Sequence, residues 1–168
     1  MGARVRFGPT PRLALAVCVA GLPFVFGPSL AWLAVALNLV LATVAMVDFL
    51  RSRHTVELVR KPGPVLSLGT DNPVTMELRC LTGDIAMELK DDLPLHMEPA
   101  GPWPQAALAG GKWQTAEYRV VPMRRGQYVI GPIHGRYRSP LGFWSRRITW
   151  KLTETVRVYP NLKAARQW

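Results

Sequence analysis

The chain has 168 residues, 49% of them hydrophobic, so a disordered protein is excluded and one domain, with or without an appendage, is expected. Its positive charge is local: residues 56–118 hold 5 basic and 9 acidic side chains, a net charge of −4, whereas residues 119–168 hold 11 basic and 1 acidic, a net of +10. The two cysteines, Cys18 and Cys80, have no CxxC or Cys/His spacing, which argues against a disulfide framework or a metal site and is typical of a reducing compartment.

Two uncharged apolar runs open the chain. The first covers residues 13–26, and the second covers residues 30–47, where only Asn38 and Thr43 are polar. As a helix the second run would span ~27 Å, close to the ~30 Å hydrocarbon core of a bilayer, whereas the first would reach only ~21 Å. Because Gly27-Pro28 disfavours one continuous helix, we expect a two-helix transmembrane hairpin with helices at about 11–26 and 30–50, within an anchoring region of residues 1–54.

The charges that flank these runs predict an orientation. Arginines precede the first run and follow the second, and no lysine or arginine lies between the runs. By the positive-inside rule, both ends of the hairpin face the cytoplasm. A cleaved signal peptide is an alternative, but apolar character resumes for a second span and ends at a charged flank. Two helices in a soluble core would need a far larger protein to cover them. The flanking residues are Arg4, Arg6, Arg12, Arg51 and Arg53.

Residues 55–160 have the pattern of short strands. Apolar and polar residues alternate along residues 73–81 and 85–90, as in half-buried antiparallel strands, and turn signals recur every ~8–12 residues. We therefore predict an all-β immunoglobulin-like antiparallel sandwich here, with residues 161–168 as the start of a linker to an absent carboxy-terminal domain. The other predicted strands cover residues 55–60, 65–68, 115–121, 127–130, 133–138, 148–152 and 155–159, and residues 98–112 are predicted to form a long loop.

Residues 124–144, RRGQYVIGPIHGRYRSPLGFW, combine arginines with turn residues and aromatics. Ser139-Pro-Leu-Gly142 matches a type I turn position by position, and glycine after two arginines permits a turn with positive φ. The predicted turn-forming residues are Gly126, Gly131, Pro132, Pro140 and Gly142, and Gly135 has no evident role. Alternation along residues 133–138 places basic side chains on one face of a strand, away from Tyr137. The candidate interaction surface is therefore His134, Arg136, Arg138, Arg146 and Arg147.

Six short motifs, in order, resemble the amino-terminal part of the bacterial DUF58 family over essentially the whole chain. They are Leu66-Ser-Leu-Gly-x-x-Asn-Pro-Val74, Leu89-x-Asp-x-Leu-Pro94, Arg124-Arg-Gly-x-Tyr128, Ile-Gly-Pro132, Arg138-Ser-Pro-Leu-Gly-x-Trp144 and Thr155-Val-Arg-Val-Tyr-Pro160. The resemblance implies a membrane hairpin and a β-sandwich at a bacterial inner membrane, followed in longer relatives by a von Willebrand factor A-like domain. It also implies a MoxR-type AAA+ ATPase as partner and a role in protein assembly or maturation.

No pattern of catalytic residues is present. The three histidines, His54, His96 and His134, are far apart and have no Cys or Glu at ligand spacing, and the Asp91-Asp92 pair precedes Leu-Pro, which indicates a turn. Phosphate-binding loops, nucleophile elbows and zinc motifs are also missing from the sequence. We therefore expect no enzyme activity, no cofactor and no metal.

Three functional hypotheses remain. The favoured one is a membrane-anchored scaffold that positions a protein partner at the cytoplasmic face. Alternatively, the arginines of the carboxy-terminal third bind anionic lipid headgroups, at ~1 kcal/mol each. Nucleic-acid binding, through arginines interleaved with Tyr137, Phe143 and Trp144, is the least expected, although such a composition suits single strands. The arginines can also form a solvated face that the acidic residues 84–98 balance.

Overall fold

A computed structural model describes residues 3–63 and 65–160, so the predicted linker at residues 161–168 lies outside the described residues. The described part contains two α-helices, α1 (Pro11–Gly21) and α2 (Ala31–Arg51), and short 3₁₀ segments at Leu22–Phe26 and Pro28–Leu30. Its strands are β1 (Ala3–Pro9), β2 (Val56–Pro62), β3 (Val65–Ser67), β4 (Asn72–Cys80), β5 (Ile85–Asp91), β6 (Met97–Pro99), β7 (Gln105–Leu108), β8 (Trp113–Pro122), β9 (Gly126–Ile130), β10 (Ile133–Arg138), β11 (Trp144–Trp150) and β12 (Glu154–Tyr159).

The contacts divide the chain into two compact units. The helical unit comprises Arg6–His54 and Tyr137–Arg147, so it contains both helices and the turn between β10 and β11. The β unit comprises the described residues of 1–5, 55–136 and 148–168. The two units meet between residues 54 and 55, and residues 137–147 group with the helices, which the sequence did not indicate. The domain boundaries expected from the sequence stay a prediction.

The β unit is a mostly antiparallel β-sandwich, as predicted. One sheet has the strand order β2-β4-β8-β6, a second has the order β3-β12-β9, and the largest has the order β1-β11-β10-β5-β7. Antiparallel pairing was expected throughout, and this is wrong for one pair, because β12 runs parallel to β3. The finer immunoglobulin-like assignment stays a prediction.

Alternating burial explains why the strands of the β unit stay in register. Val74, Met76, Leu78 and Cys80 on β4 have no exposed surface, and the same alternation runs through β5. A shift of one residue would turn this whole apolar set towards water. The buried side of β10 also explains Gly135, for which the sequence indicated no role. A Cβ there would lie 2.7 Å from Cζ3 of Trp150 and 2.9 Å from Sδ of Met87, so only glycine fits without a shift.

The sequence did not predict three of the strands, β1, β6 and β7. The predicted loop at residues 98–112 contains β7 and the end of β6, and β1 occupies a basic stretch that we interpreted only as a flank of the first helix. In β7 the buried residues are Ala106 and Leu108. Alanine is not enriched in strands, so the alternation is inconspicuous in the sequence, and the strand forms by pairing with β5. Strand β11 also begins at Trp144, four residues before the predicted start.

The helical unit departs from the expected lengths. Helix α1 ends at Gly21, just before Pro23, and a 3₁₀ segment continues to Phe26, so the first α-helix is shorter than residues 11–26. Helix α2 together with the 3₁₀ turn before it covers 24 residues, Pro28–Arg51, or ~36 Å if fully helical. Among the described residues, this is the helix that is long and apolar enough to cross a membrane.

Candidate functional site

The predicted interaction surface does not form one described site. His134 and Arg136 belong to the β unit, whereas Arg138, Arg146 and Arg147 belong to the helical unit. Along β10 the predicted alternation is present, since His134, Arg136 and Arg138 are exposed while the residues between them are buried. An Nη2 atom of Arg136 lies 3.0 Å from Oε2 of Glu88, and both side chains are about half exposed. One cation of the surface therefore has an ion-pair partner in the acidic segment of residues 84–98.

Arg146 corrects the prediction most clearly, because it is 7% exposed rather than on the surface. Its Nε donates to Oγ of Ser52 at 2.8 Å, and its Nη2 donates to the carbonyl oxygen of Phe49 at 3.0 Å. The guanidinium also lies 4.8 Å from the centre of the Phe49 ring, a cation–π distance. Arg146 thus stabilises the end of α2 and has no surface to offer a partner.

Pro140 and Gly142 lie in a turn, whereas Gly126 is the first residue of β9 and Gly131-Pro132 lies between β9 and β10. The amide of Gly142 donates to the carbonyl of Ser139 at 2.9 Å, which closes the predicted four-residue turn around Pro140, and Gly142 has φ +75°. Gly126 has φ +147° at the start of β9. Gly131 donates to the carbonyl of Asp92 at 2.8 Å, and a Cβ on it would lie 3.0 Å from that residue. Pro132 accepts from the Asp92 amide at 3.1 Å in return. Each of these residues therefore has a structural role.

The Ser139–Gly142 turn binds the carboxyl end of α2. Asp48 is 2% exposed, and its Oδ2 accepts from Oγ of Ser139 at 2.5 Å while its Oδ1 accepts from the amide of Leu141 at 2.9 Å. Nε1 of Trp144 donates to the carbonyl oxygen of Ala45 at 2.8 Å. Together with the Arg146 contacts, these bonds form a set that we call the α2 clasp. It consists of Asp48, Ser52, Ser139, Trp144 and Arg146.

Elementary electrostatics explains the composition of the α2 clasp. The last turn of a helix leaves carbonyl oxygens without partners, and its partial negative charge favours a cation. Arg146 supplies both the cation and a donor to Phe49. The negative charge of Asp48 is unfavourable near this end of a helix. A buried carboxylate also needs hydrogen-bond donors, and the turn provides two, the Ser139 hydroxyl and the Leu141 amide. The sequence shows Asp48 only as part of a charged flank, so its partner could not be read from a local pattern.

A second polar cluster, which we call the buried triad, lies in the β unit. Nη2 of Arg60 donates to Oδ1 of Asp91 at 2.7 Å and to the carbonyl of Gly131 at 2.6 Å, and the Tyr118 hydroxyl donates to Oδ2 of Asp91 at 2.6 Å. Burial raises the pKa of Asp91, although the Tyr118 hydrogen bond and the Arg60 charge oppose the change. Burial, and then the charge of Asp91, raise the pKa of Tyr118. The triad comprises Arg60, Asp91 and Tyr118.

The buried triad is structural. The side chains of Arg60 and Asp91 are 1% and 0% exposed, so no substrate can contact them. Nε and Nη1 of Arg60 have no hydrogen-bond partner among the described residues, so burial of this cation is only partly compensated. Asp91 was predicted to lie in a turn, but it is the last residue of β5.

An apolar groove of about 460 Å³ lies within the helical unit, between α1 and α2. Phe7, Phe49 and Trp144 line one part of it and contact one another edge to face, with ring centres 5.1 to 6.5 Å apart. The amide of Asn38, the polar side chain in the lining, donates to the carbonyl of Ala34 in its own helix. The groove therefore presents almost no polar group to an occupant.

Metal ligands do not converge in the described part of the chain, where no three His, Cys, Asp or Glu side chains lie close enough to hold an ion. Nδ1 of His134 lies 3.1 Å from Oγ1 of Thr149. The backbone of His96 has φ +71°, in the left-handed region, within the loop between β5 and β6.

No protein-family model and no curated protein matches the sequence. Among solved structures, the chain is similar to a non-cellulosomal cohesin from the hyperthermophilic archaeon Archaeoglobus fulgidus, at 11% identity over 67% of this chain and 97% of the other, with a TM-score of 0.40. It is also similar to a cohesin module of a Clostridium perfringens family 33 glycoside hydrolase, at 10% identity over 65% and 100% of the two chains, with a TM-score of 0.37. A third is AggA, the major subunit of aggregative adherence fimbriae type I from Escherichia coli, at 12% identity over 66% and 97%, with a TM-score of 0.35. Similarities this distant transfer neither residues nor function.

Proposed function

We propose that the protein is a non-enzymatic, membrane-anchored scaffold of the DUF58 type, with its β-sandwich on the cytoplasmic side of a bacterial inner membrane. The observation that carries this proposal is α2, whose apolar side chains remain largely exposed within the described structure. Trp32, Leu39 and Val40 are 81%, 64% and 62% exposed. A soluble protein rarely exposes so long an apolar surface, whereas a lipid bilayer covers it at no cost.

A two-helix hairpin is the form of anchor that we propose. The stretch Pro11–Phe26 is apolar but short, and its helices contact α2. Arginine residues before α1 and at the end of α2 favour a cytoplasmic location for both ends. A short first span is compatible with local thinning of the bilayer.

Within the helical unit, the α2 clasp holds the carboxyl end of the proposed membrane span. Its five side chains and the Leu141 amide make direct hydrogen bonds around that end. By its resemblance to the DUF58 family, the partner is a MoxR-type AAA+ ATPase and, in longer relatives, an A-like domain.

The two alternatives lose support from the geometry. Nucleic-acid binding needed aromatic faces among the arginines, but Tyr137 is buried and Trp144 donates to α2 within the clasp. The basic surface for lipid or nucleic acid also loses Arg146 to burial and Arg136 to its ion pair. Of the five predicted residues, Arg138 and Arg147 remain exposed cations with no ion pair among the described residues.

A topology reporter tests the proposal. The full chain carries, after Trp168, either a reporter active only in the cytoplasm or one active only in the periplasm. We expect activity from the cytoplasmic reporter alone, and the protein should stay in the membrane pellet after alkaline carbonate washing. Activity from the periplasmic reporter, or a mature chain that lacks its first 30 residues or so, as after removal of a signal peptide, would refute the proposal.

A further inference from the structure

The β3-β12-β9 sheet has one buried face and one exposed face. Towards the core it places Leu66, Ile130, Val156 and Val158, none more than 4% exposed. The opposite side chains are exposed, and we call this set the outer face. It consists of Val65, Gln127, Val129, Thr155, Arg157 and Tyr159.

The register of the strands places these residues side by side. Arg157 on the central strand has Val65 as its partner on β3 and Gln127 as its partner on β9. Thr155 is opposite Val129, and Tyr159 is opposite Ser67. Arg157 is therefore at the centre of the outer face, with a strand partner on each side.

Three of the six residues of the outer face are valine or tyrosine. Val65, Val129 and Tyr159 are 54%, 56% and 48% exposed, on a sheet face that contains no acidic residue. Arg157 makes no ion pair with any described carboxylate. Tyrosine and arginine are enriched at the centre of protein interfaces, whereas lysine and acidic residues are depleted there.

We propose that the outer face binds a protein partner that presents a carboxylate within an apolar patch. The carboxylate pairs with Arg157, and the apolar patch covers Val65, Val129 and Tyr159. The proposal deepens the scaffold function proposed above and rests on it, since it names the surface by which the sandwich holds its partner.

The area and the charge of the outer face limit which partners can bind it. A six-residue strand is ~20 Å long, and three strands are ~10–14 Å wide, so the outer face offers roughly 200–300 Å². A stable interface buries about 800 Å² on each partner, so the outer face supplies the centre of an interface and the surrounding surface completes it. A second copy of the chain does not fit, because two outer faces in contact would bring two Arg157 cations together without a counter-charge.

Photocrosslinking with a charge swap tests the proposal. The full chain carries p-benzoylphenylalanine at position 129 and, as a matched control, at position 115, an exposed residue on β8 in another sheet. After irradiation of intact cells, we expect a protein adduct from position 129 but not from position 115. The adduct should fall about tenfold or more in Arg157→Glu, and a partner Asp or Glu changed to Arg should restore it.

The controls separate binding from folding. Arg119→Glu reverses an exposed arginine on β8 and should leave the adduct unchanged. Arg157→Gln removes the charge without reversing it and should weaken the adduct less than Arg157→Glu does. Both Arg157 variants should unfold at the wild-type temperature, since this side chain is exposed.

Four results would overturn the proposal: no adduct from position 129, an adduct only with lipid, an adduct only with a second copy, or an adduct that Arg157→Glu leaves unchanged. These failures differ from failure of the proposed function. A chain that is anchored with its carboxy terminus in the cytoplasm but gives no adduct refutes the outer face alone. A chain whose carboxy terminus is periplasmic refutes the scaffold, whatever the crosslink shows.

Discussion

At the scale of single residues, Arg60 makes the most costly contact in the β unit. It is buried against Asp91, and only one of its three guanidinium nitrogens has partners among the described residues. Taking a cation out of water costs several kcal/mol, and the ion pair offsets this cost only while both partners are present. The buried triad therefore contributes less to stability than its short distances suggest, but loss of one member is expensive.

Arg60→Met should destabilise the protein by about 3–5 kcal/mol, because the Asp91 carboxylate would remain buried without its cation. The free energy of unfolding is measured in detergent with urea and tryptophan fluorescence. Lys61→Met breaks the neighbouring but exposed pair with Glu77 and should cost under about 1 kcal/mol. Equal losses in the two variants would contradict the role of burial.

Asp91 also gives the stability a defined pH dependence. Because burial raises its pKa in the folded state above the ordinary 3.8, its contribution is complete below pH 3.8 and is lost as pH rises through the folded-state pKa. Asp91→Asn cannot titrate, so the free energy of unfolding of wild type minus variant should fall as pH rises from about 3.5 to 7. A difference that stays constant with pH would show that the Tyr118 hydrogen bond and the Arg60 charge offset desolvation, and one that rises with pH would show that they outweigh it.

At the scale of elements, the α2 clasp joins the membrane-spanning helix that we propose to a β-turn. Local patterns predicted each part of it separately. The type I turn follows from Ser, Pro and Gly at fixed positions, and the helix follows from a long apolar run. The contact between the turn and the helix could not be predicted, because Asp48 and Ser139 are 91 residues apart and no local pattern links them.

Asp48→Ala should loosen the turn without unfolding the β-sandwich. The variant leaves the Leu141 amide and the Ser139 hydroxyl without their acceptor, a loss of about 1–3 kcal/mol. Hydrogen exchange at the Leu141 amide should accelerate about tenfold or more, while exchange on β4 stays as in the wild type. Thr43→Ala, which removes a hydroxyl bonded only within α2, is the matched control. An unchanged rate at Leu141 would mean that Asp48 does not hold the turn.

Local sequence also predicts some of the strands but not others. On β4, strict alternation of large apolar side chains makes the strand and its buried face predictable. On β7, alanine replaces those side chains, so the strand depends on pairing with β5. Arg146 was misplaced for a related reason, since alternation alone does not reveal that a cation has carbonyl and hydroxyl acceptors on another element.

At the scale of the whole molecule, the proposed function requires that α2 be covered by lipid. Leu39 and Val40 lie near the middle of α2 and are both more than half exposed. In a bilayer these positions would be at hydrocarbon depth, where each arginine costs about 2.5–3.5 kcal/mol. The membrane association that we propose therefore depends on a few positions that are largely exposed in the described structure.

Leu39→Arg/Val40→Arg should release most of the protein from membranes into an alkaline carbonate wash, because the two charges together cost about 5–7 kcal/mol. Leu81→Arg/Leu95→Arg introduces the same charges at two exposed leucines of the β unit and should remain in the pellet. The released fraction is measured by immunoblot. Retention of both variants would refute α2 as a membrane span.

The distance along the chain between Asp48 and its donors also sets an order of events during synthesis. Ribosomes add roughly 5–20 residues per second, so about 5 to 18 s pass between translation of Asp48 and of Ser139, which is 91 residues later. During that interval the Asp48 carboxylate lacks both of its donors from the turn, while α2, if it spans the membrane as we propose, enters the bilayer. The helical unit is therefore completed late in synthesis, after β2 to β10 but before β12 has been made.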